Sequence, residues 1–196
     1  RIAIEAQRKA KPYCMGSLYW QFNDCWPAIS WSTTDYFGGR KAAYYAVKRA
    51  YKELLVSTEV DNDSIKITVI SDEAEARKTN LNLKLFDFNG NILWKEKIAI
   101  TIPPANEKCI TYYANTIKGL LKNYSRDSVY LKANIDKKSE EAGSSICYFN
   151  SMKNISFPKV SVKYEINKSD GSYLVELKTE TIAKNVYMSI DGDVSA

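Results

Sequence analysis

At 196 residues the chain has room for one or two domains of ordinary size. With 45% hydrophobic and 26% charged residues and no apolar run near the roughly 18 residues of a membrane span, its composition excludes a disordered polymer and a transmembrane helix. It contains no histidine, which excludes a Ser-His-Asp triad, a Cys-His pair and a His-based zinc site, and its net charge of +5 is spread along the chain, as on a solvated surface, with no basic block to mark a nucleic-acid partner.

Residues Ile2 to Ala10 have helical composition, and Lys11-Pro12 stops the pattern because proline disfavours helix at the residue before it. The chain opens at Arg1 within this pattern, without an initiator Met, and is expected to be a piece of a longer protein. The run Met15-Gly16-Ser17-Leu18-Tyr19-Trp20-Gln21-Phe22 predicts a buried strand, closed by Asn23-Asp24. Pro27, Gly38 and Gly39 punctuate a long loop. A helix is predicted from about Arg40 to Leu54, with Ala43, Val47, Ala50 and Leu54 as its inner stripe. Helix, strand, long loop, helix is the rhythm of an α/β barrel.

Near Leu55 the period changes to two. Strands are predicted over Ser64 to Ser71, Asn80 to Asp87, Ile92 to Ile102, Lys108 to Tyr113, Val129 to Asn134 and Ser145 to Phe149. Asn89-Gly90 is a hairpin signal, and Thr116 to Leu121 predicts a single helical turn between sheets. About a hundred residues of short strands with regular turns suggest a β-sandwich. After Pro158 a further set follows, Lys159 to Ile166, Ser172 to Thr179 and Asn185 to Ile190, with Ser169-Asp170-Gly171 as a turn. Three strands do not close a sandwich, so they are expected to open another domain.

The densest chemistry lies in Tyr19-Trp20-Gln21-Phe22-Asn23-Asp24-Cys25-Trp26-Pro27. Three of the four tryptophans, Trp20, Trp26 and Trp31, stand close to Gln21, Asn23, Asp24 and Asp35. Indole faces beside amides and carboxylates suit a sugar cleft, where the apolar face of a pyranose stacks and its hydroxyls find polar partners. The same composition fits tryptophans that fill a core. Cys14, Cys25, Cys109 and Cys147 lack C-x-x-C spacing and are expected to be buried free thiols, so no metal site is expected and no cofactor. The N-x-S/T triplets at Asn62, Asn123, Asn154 and Asn167 are of the kind that arise by chance in a Lys/Asn-rich chain. Tyr44, Tyr45 and Tyr51 are expected to pack, and Lys48, Arg49 and Lys52 to form a solvated face.

Lys11-Pro12-Tyr13-Cys14-Met15-Gly16-Ser17-Leu18 leading into this run, then Ile29-Ser30-Trp31-Ser32 and Asp35-Tyr36-Phe37-Gly38, resembles the end of the catalytic barrel of β-mannosidases, in glycoside hydrolase family two. The resemblance is dense over residues 11 to about 51. It continues more loosely through Ser71-Asp72, Leu85-Phe86-Asp87-Phe88-Asn89-Gly90, Trp94 and Ile102-Pro103, similar to the immunoglobulin-like domain that follows the barrel. Lys159 to Ala196 resembles the opening strands of the family's final sandwich.

The resemblance implies a mainly β fold in three parts. Residues 1–54 would be the last strand and helices of a (β/α)8 barrel, 55–158 an immunoglobulin-like β-sandwich, and 159–196 the first strands of a further sandwich. It implies a retaining exo-β-mannosidase whose two glutamates lie upstream of this chain. Glu5, Asp24 and Asp35 are the nearest carboxylates, and none has the family's catalytic context. No catalytic residue is therefore assigned, and the fragment alone is expected to be inactive. Trp20 would be the platform under the sugar. Asn23 and Asp24 would either hydrogen-bond sugar hydroxyls or brace the loop as turn-forming side chains. Trp26 and Trp31 are expected to pack in the loop and Trp94 in the sandwich core. The implied partners are a β-mannoside, bound through the parent barrel, and the upstream catalytic domain. The alternative is a non-catalytic carbohydrate-binding or structural sandwich of a related galactosidase or glucuronidase. It would need an exposed aromatic platform, and beyond Trp94 and scattered tyrosines the sequence shows no clustered candidate.

Overall fold

A computed structural model describes residues 2–114, 117–136 and 143–188. The order is α1 (Ile2–Lys9), α2 (Ala42–Ala50), β1 (Leu54–Asp61), β2 (Ser64–Ser71), β3 (Arg77–Asp87), β4 (Ile92–Ile102), β5 (Ile110–Ala114), α3 (Ile117–Leu120), β6 (Val129–Ile135), β7 (Ser144–Tyr148), a 3-10 turn (Met152–Asn154), β8 (Lys163–Ser169) and β9 (Ser172–Lys178).

Two antiparallel sheets, β1-β2-β5 and β4-β3-β6-β7, face each other. Alternation decides which side chains meet between them. Ile65, Ile67 and Val69 of β2 point inward, as do Leu81, Leu83 and Leu85 of β3 and Val129, Leu131 and Ala133 of β6. Each such valine, leucine or isoleucine, fully buried, contributes about 1.5–3 kcal/mol. Trp94 packs against this core, as expected. The sheets close where β7 lies beside β1: Thr58 Oγ1 and Ser145 Oγ are 2.8 Å apart. A Cβ on Gly143 would stand 2.6 Å from the Val56 backbone nitrogen, so glycine is required for that approach.

At one end of β1 and β2 the burial stops alternating. Leu54–Ser57 and Ile67–Ser71 are buried on both faces, because α1 covers the outer face there. Ile4, Glu5 and Arg8 form the buried side of α1. Ser57 Oγ donates to Glu5 Oε2 at 2.8 Å, and the Arg8 guanidinium donates to the carbonyls of Ala50 (2.6 Å) and Lys52 (2.7 Å) and to Asp72 Oδ2 (2.8 Å). Lys11 Nζ adds bonds to Ser71 O at 2.8 Å and to Asp72. Polar clamps thus fasten the N-terminal segment to the sandwich.

Several expectations are corrected. Met15 to Phe22 form no strand: the run has no continuous ladder partner among the described residues, and Met15, Leu18, Trp20 and Phe22 are exposed. The second helix stops at Ala50, its only buried residue, and Leu54 starts a strand that the sequence reading missed. All eight residues of β1 pair with β2 across a turn in which Asn62 has φ 54°, and this ladder outweighs a further helical turn. In the last set, β8 and β9 pair across Asp170-Gly171, both at positive φ, but residues 185–188 form no strand and 189–190 lie outside the described residues. Cys109 and Cys147 are buried free thiols, whereas Cys14 is half-buried and Cys25 exposed. No helix among the described residues is long and apolar enough to cross a membrane.

Candidate functional site

The loop after Phe22 folds around one carboxylate. Asp24 N donates to Thr34 O at 3.1 Å, Thr34 N to Phe22 O at 2.9 Å, and Lys41 N to Thr33 O at 3.0 Å, so three short segments lie side by side. Inside this frame Asp24 is buried. Ser30 Oγ donates to its Oδ1, while Ser32 Oγ (2.7 Å) and Lys41 Nζ (3.2 Å) donate to its Oδ2. The hydrogen bonds from Ser30 and Ser32, with the nearby Lys41 ammonium, hold its carboxyl below the usual carboxylate range against the opposing effect of burial. A second carboxylate closes the loop's end: Gly39 N donates to Asp35 Oδ1 at 2.7 Å, and a Cβ at Gly39 would meet that side chain at 2.5 Å.

The brace points its apolar residues outward. Trp20 is 79% exposed, Trp26 69% and Trp31 74%, with Leu18, Phe22, Ile29 and Phe37 exposed beside them. Trp26 and Trp31 therefore do not pack within the chain as expected; the loop is held by its polar interior. Tyr19 turns the other way, its hydroxyl 3.1 Å from Thr33 Oγ1. The peptide bonds Lys11–Pro12 and Trp20–Gln21 are cis. Asn23 is exposed, and its amide donates to Asp24 O at 3.3 Å.

Of the three residues singled out in the sequence, Trp20 and Asn23 thus face solvent, whereas both Asp24 oxygens are occupied within the loop. Glu5, Asp24 and Asp35 each accept hydrogen bonds inside the fold. Among the described residues no group of three or more His, Cys, Asp and Glu is placed to hold a metal ion. The sequence reading missed Ser30, Ser32 and Lys41. The only available signal was a Ser-x-Ser pair between an acid and a lysine, with nothing in the spacing to say that they converge.

Similarity to known proteins extends over most of the chain. Residues 63–154 match the family model of the mannosidase Ig/CBM-like domain. Over 185 residues the chain is 25% identical to a β-mannosidase of Capra hircus, an alignment that covers 92% of this chain and 21% of the goat protein. Over 56 residues it is 45% identical to β-mannosidase B of Aspergillus flavus, which covers 29% of this chain and 7% of that protein. The crystal structure of a β-D-mannosidase from Dictyoglomus thermophilum superposes with a TM-score of 0.74 at 25% identity, covering 91% of this chain and 22% of that one. The chain spans about a fifth of the length of the goat and Dictyoglomus proteins.

Proposed function

Since this is a β-mannosidase-like chain of glycoside hydrolase family two, with residues 63–154 forming a mannosidase Ig/CBM-like domain, we propose that it is the C-terminal part of a retaining exo-β-mannosidase. Its role there is to supply one wall of the sugar cleft and the sandwich that follows the barrel. The observation that carries the reading is the outward-facing Trp20, in a segment collinear with β-mannosidase sequence and fixed from behind by the Asp24 brace.

The chemistry defines a division of labour. Retention needs two carboxyl groups about 5–5.5 Å apart, one as nucleophile and one as acid/base. Glu5, Asp24 and Asp35 are engaged structurally, so both catalytic groups belong to the roughly four-fifths of the relatives' length that this chain does not span. Trp20 offers an indole face for the apolar side of the mannose ring, and Asn23, three residues on and also exposed, offers an amide for a hydroxyl. Asp24 contributes by bracing, not by contact. Leu18, Phe22, Trp26, Ile29, Trp31 and Phe37, all exposed on this segment, form the surface that packs on the upstream catalytic domain, because so many exposed apolar side chains in one stretch mark an interface.

The test uses the full-length parent. It is expected to hydrolyse an aryl β-mannoside, and Trp20→Ala to lower kcat/KM on the order of 100-fold through lost sugar positioning. A parent that cleaves only β-galactosides, or a Trp20→Ala enzyme with unchanged kcat/KM, would overturn the reading.

A further inference from the structure

Strand register brings together on the outer face of β4-β3-β6-β7 what the sequence scatters over 65 positions, from Lys84 to Tyr148. Lys95 pairs with Lys84 and Lys84 with Lys132, so three ammonium groups stand in one row across three adjacent strands, with Ile146 on the fourth. The row on one side is Lys97-Asn82-Asn134-Ser144, and on the other Phe86-Tyr130-Tyr148. Neighbouring strands lie about 4.8 Å apart and successive rows about 6.7 Å.

Like charges directly opposite each other destabilise a sheet. Elsewhere on the same face the charges are compensated: Asp136 accepts from Asn80 (2.8 Å) and Asn82 (2.6 Å) and pairs with Lys97 at 3.1 Å. The lysine row has no such compensation among the described residues. Among the described residues the side chains of Lys84, Lys95, Lys132 and Asn134 and the hydroxyls of Tyr130 and Tyr148 have no hydrogen-bond or ion-pair partner. The aromatic row closes its own ring faces, Phe86 stacking on Tyr130 with centroids 5.3 Å apart and an interplanar angle of 11°. It therefore offers phenolic hydroxyls, not open faces for nucleobases.

We propose that this face binds an acidic glycan carrying uronate groups, the Lys95-Lys84-Lys132 row meeting the ring carboxylates while Asn134, Tyr130 and Tyr148 meet the hydroxyls beside them. Three ammonium groups on three adjacent strands span about 10 Å, long enough to meet more than one carboxylate of a short uronate oligomer. The inference goes beyond the cleft at Trp20, which lies on a different segment, and stands whether or not the longer protein is a mannosidase.

Tetragalacturonate is titrated into the full chain at physiological salt and followed by amide and side-chain chemical shifts, with mannotetraose and a short DNA duplex as parallel ligands. Tetragalacturonate is expected to move resonances of β3, β6 and β7, mannotetraose to leave them unmoved, and Lys84→Gln/Lys132→Gln to weaken binding roughly tenfold or more. Lys163→Gln, on β8, is expected to change nothing. The double variant's Tm is expected to hold or rise, because a repulsion is removed; a fall would assign the lysines a structural role and overturn the proposal. So would an unmoved spectrum, unchanged affinity in the double variant, or equal binding of the DNA duplex.

Discussion

Lys41 Nζ lies 3.2 Å from Asp24 Oδ2, which ties the residue preceding α2 to the turn that presents Trp20. Because Asp24's carboxyl is held below its ordinary range, the sign of its pH dependence follows: the contribution is full above the unfolded-state carboxylate value and is lost as pH falls through the lower folded value. Tryptophan emission, dominated by Trp20, Trp26 and Trp31, is expected to stay constant down through the ordinary carboxylate range and to shift only below it. In Asp24→Asn that shift is absent, and the loop is more readily cleaved by protease at neutral pH.

Asp72 carries the clamp between the N-terminal segment and the sandwich, since Arg8 and Lys11 both end on it with side chains only 8% and 6% exposed. Asp72→Ala leaves two buried cations short of a partner and is expected to cost about 1–3 kcal/mol in urea unfolding, less than for a fully buried pair because Asp72 itself is 42% exposed. Adding Lys11→Met to Asp72→Ala is expected to recover part of that loss. Strict additivity of the two changes would show that they do not act on each other.

How much of this was legible follows from the range of each signal. β2 and β4 were readable to their ends, because alternation of Ile65, Ile67 and Val69 is a local pattern and Gly90, at φ 87°, fits the turn before β4. β1 was not: Leu54-Leu55-Val56 is buried on both faces, so it shows no alternation and continues a helical stripe equally well. Trp20 falls in a run that reads as a buried strand, because apolar composition alone does not say whether a ladder partner is present, and the Asp24 brace was invisible because Ser30, Ser32 and Lys41 converge only through loop closure. The lysine row needed strand register, which no local pattern encodes.

Gly143 meets the β1 backbone where the two sheets close, and the atoms a side chain would strike, Val56 N and Leu54 O, are not free to move aside. Gly143→Ala is expected to destabilise by about 1–3 kcal/mol, as overpacking does. Gly16→Ala, where an added Cβ has nothing within 4 Å, provides the contrast and is expected to leave the thermal midpoint within about 2 °C.

The four cysteines rank by access. Cys25 is exposed and Cys14 half-buried, while burial pushes the Cys109 thiol up and raises that of Cys147 to about 11. A disulfide reagent at neutral pH is therefore expected to label Cys25 first and Cys14 second, with Cys109 and Cys147 reacting only on unfolding. Prompt labelling of Cys147 in the native chain would show that the β1–β7 closure opens.

Asp136, just past β6, is tied to β3 by Asn80 and Asn82 and to β4 by Lys97. Hydrogen bonds from Asn82 and Asn80, with Lys97 close by, lower its carboxyl to about 2. A depressed folded value means that its stabilisation is complete above the ordinary value of 3.8 and disappears as pH falls through about 2. In Asp136→Asn the unfolding midpoint at neutral pH is expected to drop and the acid-induced decline across that window to flatten. The substitution also frees Lys97, adding an uncompensated ammonium beside Asn82 and Asn134 on the face assigned to uronate. The same variant is therefore expected to bind tetragalacturonate more tightly while folding less stably, opposite signs that a general loosening of the sheet does not produce.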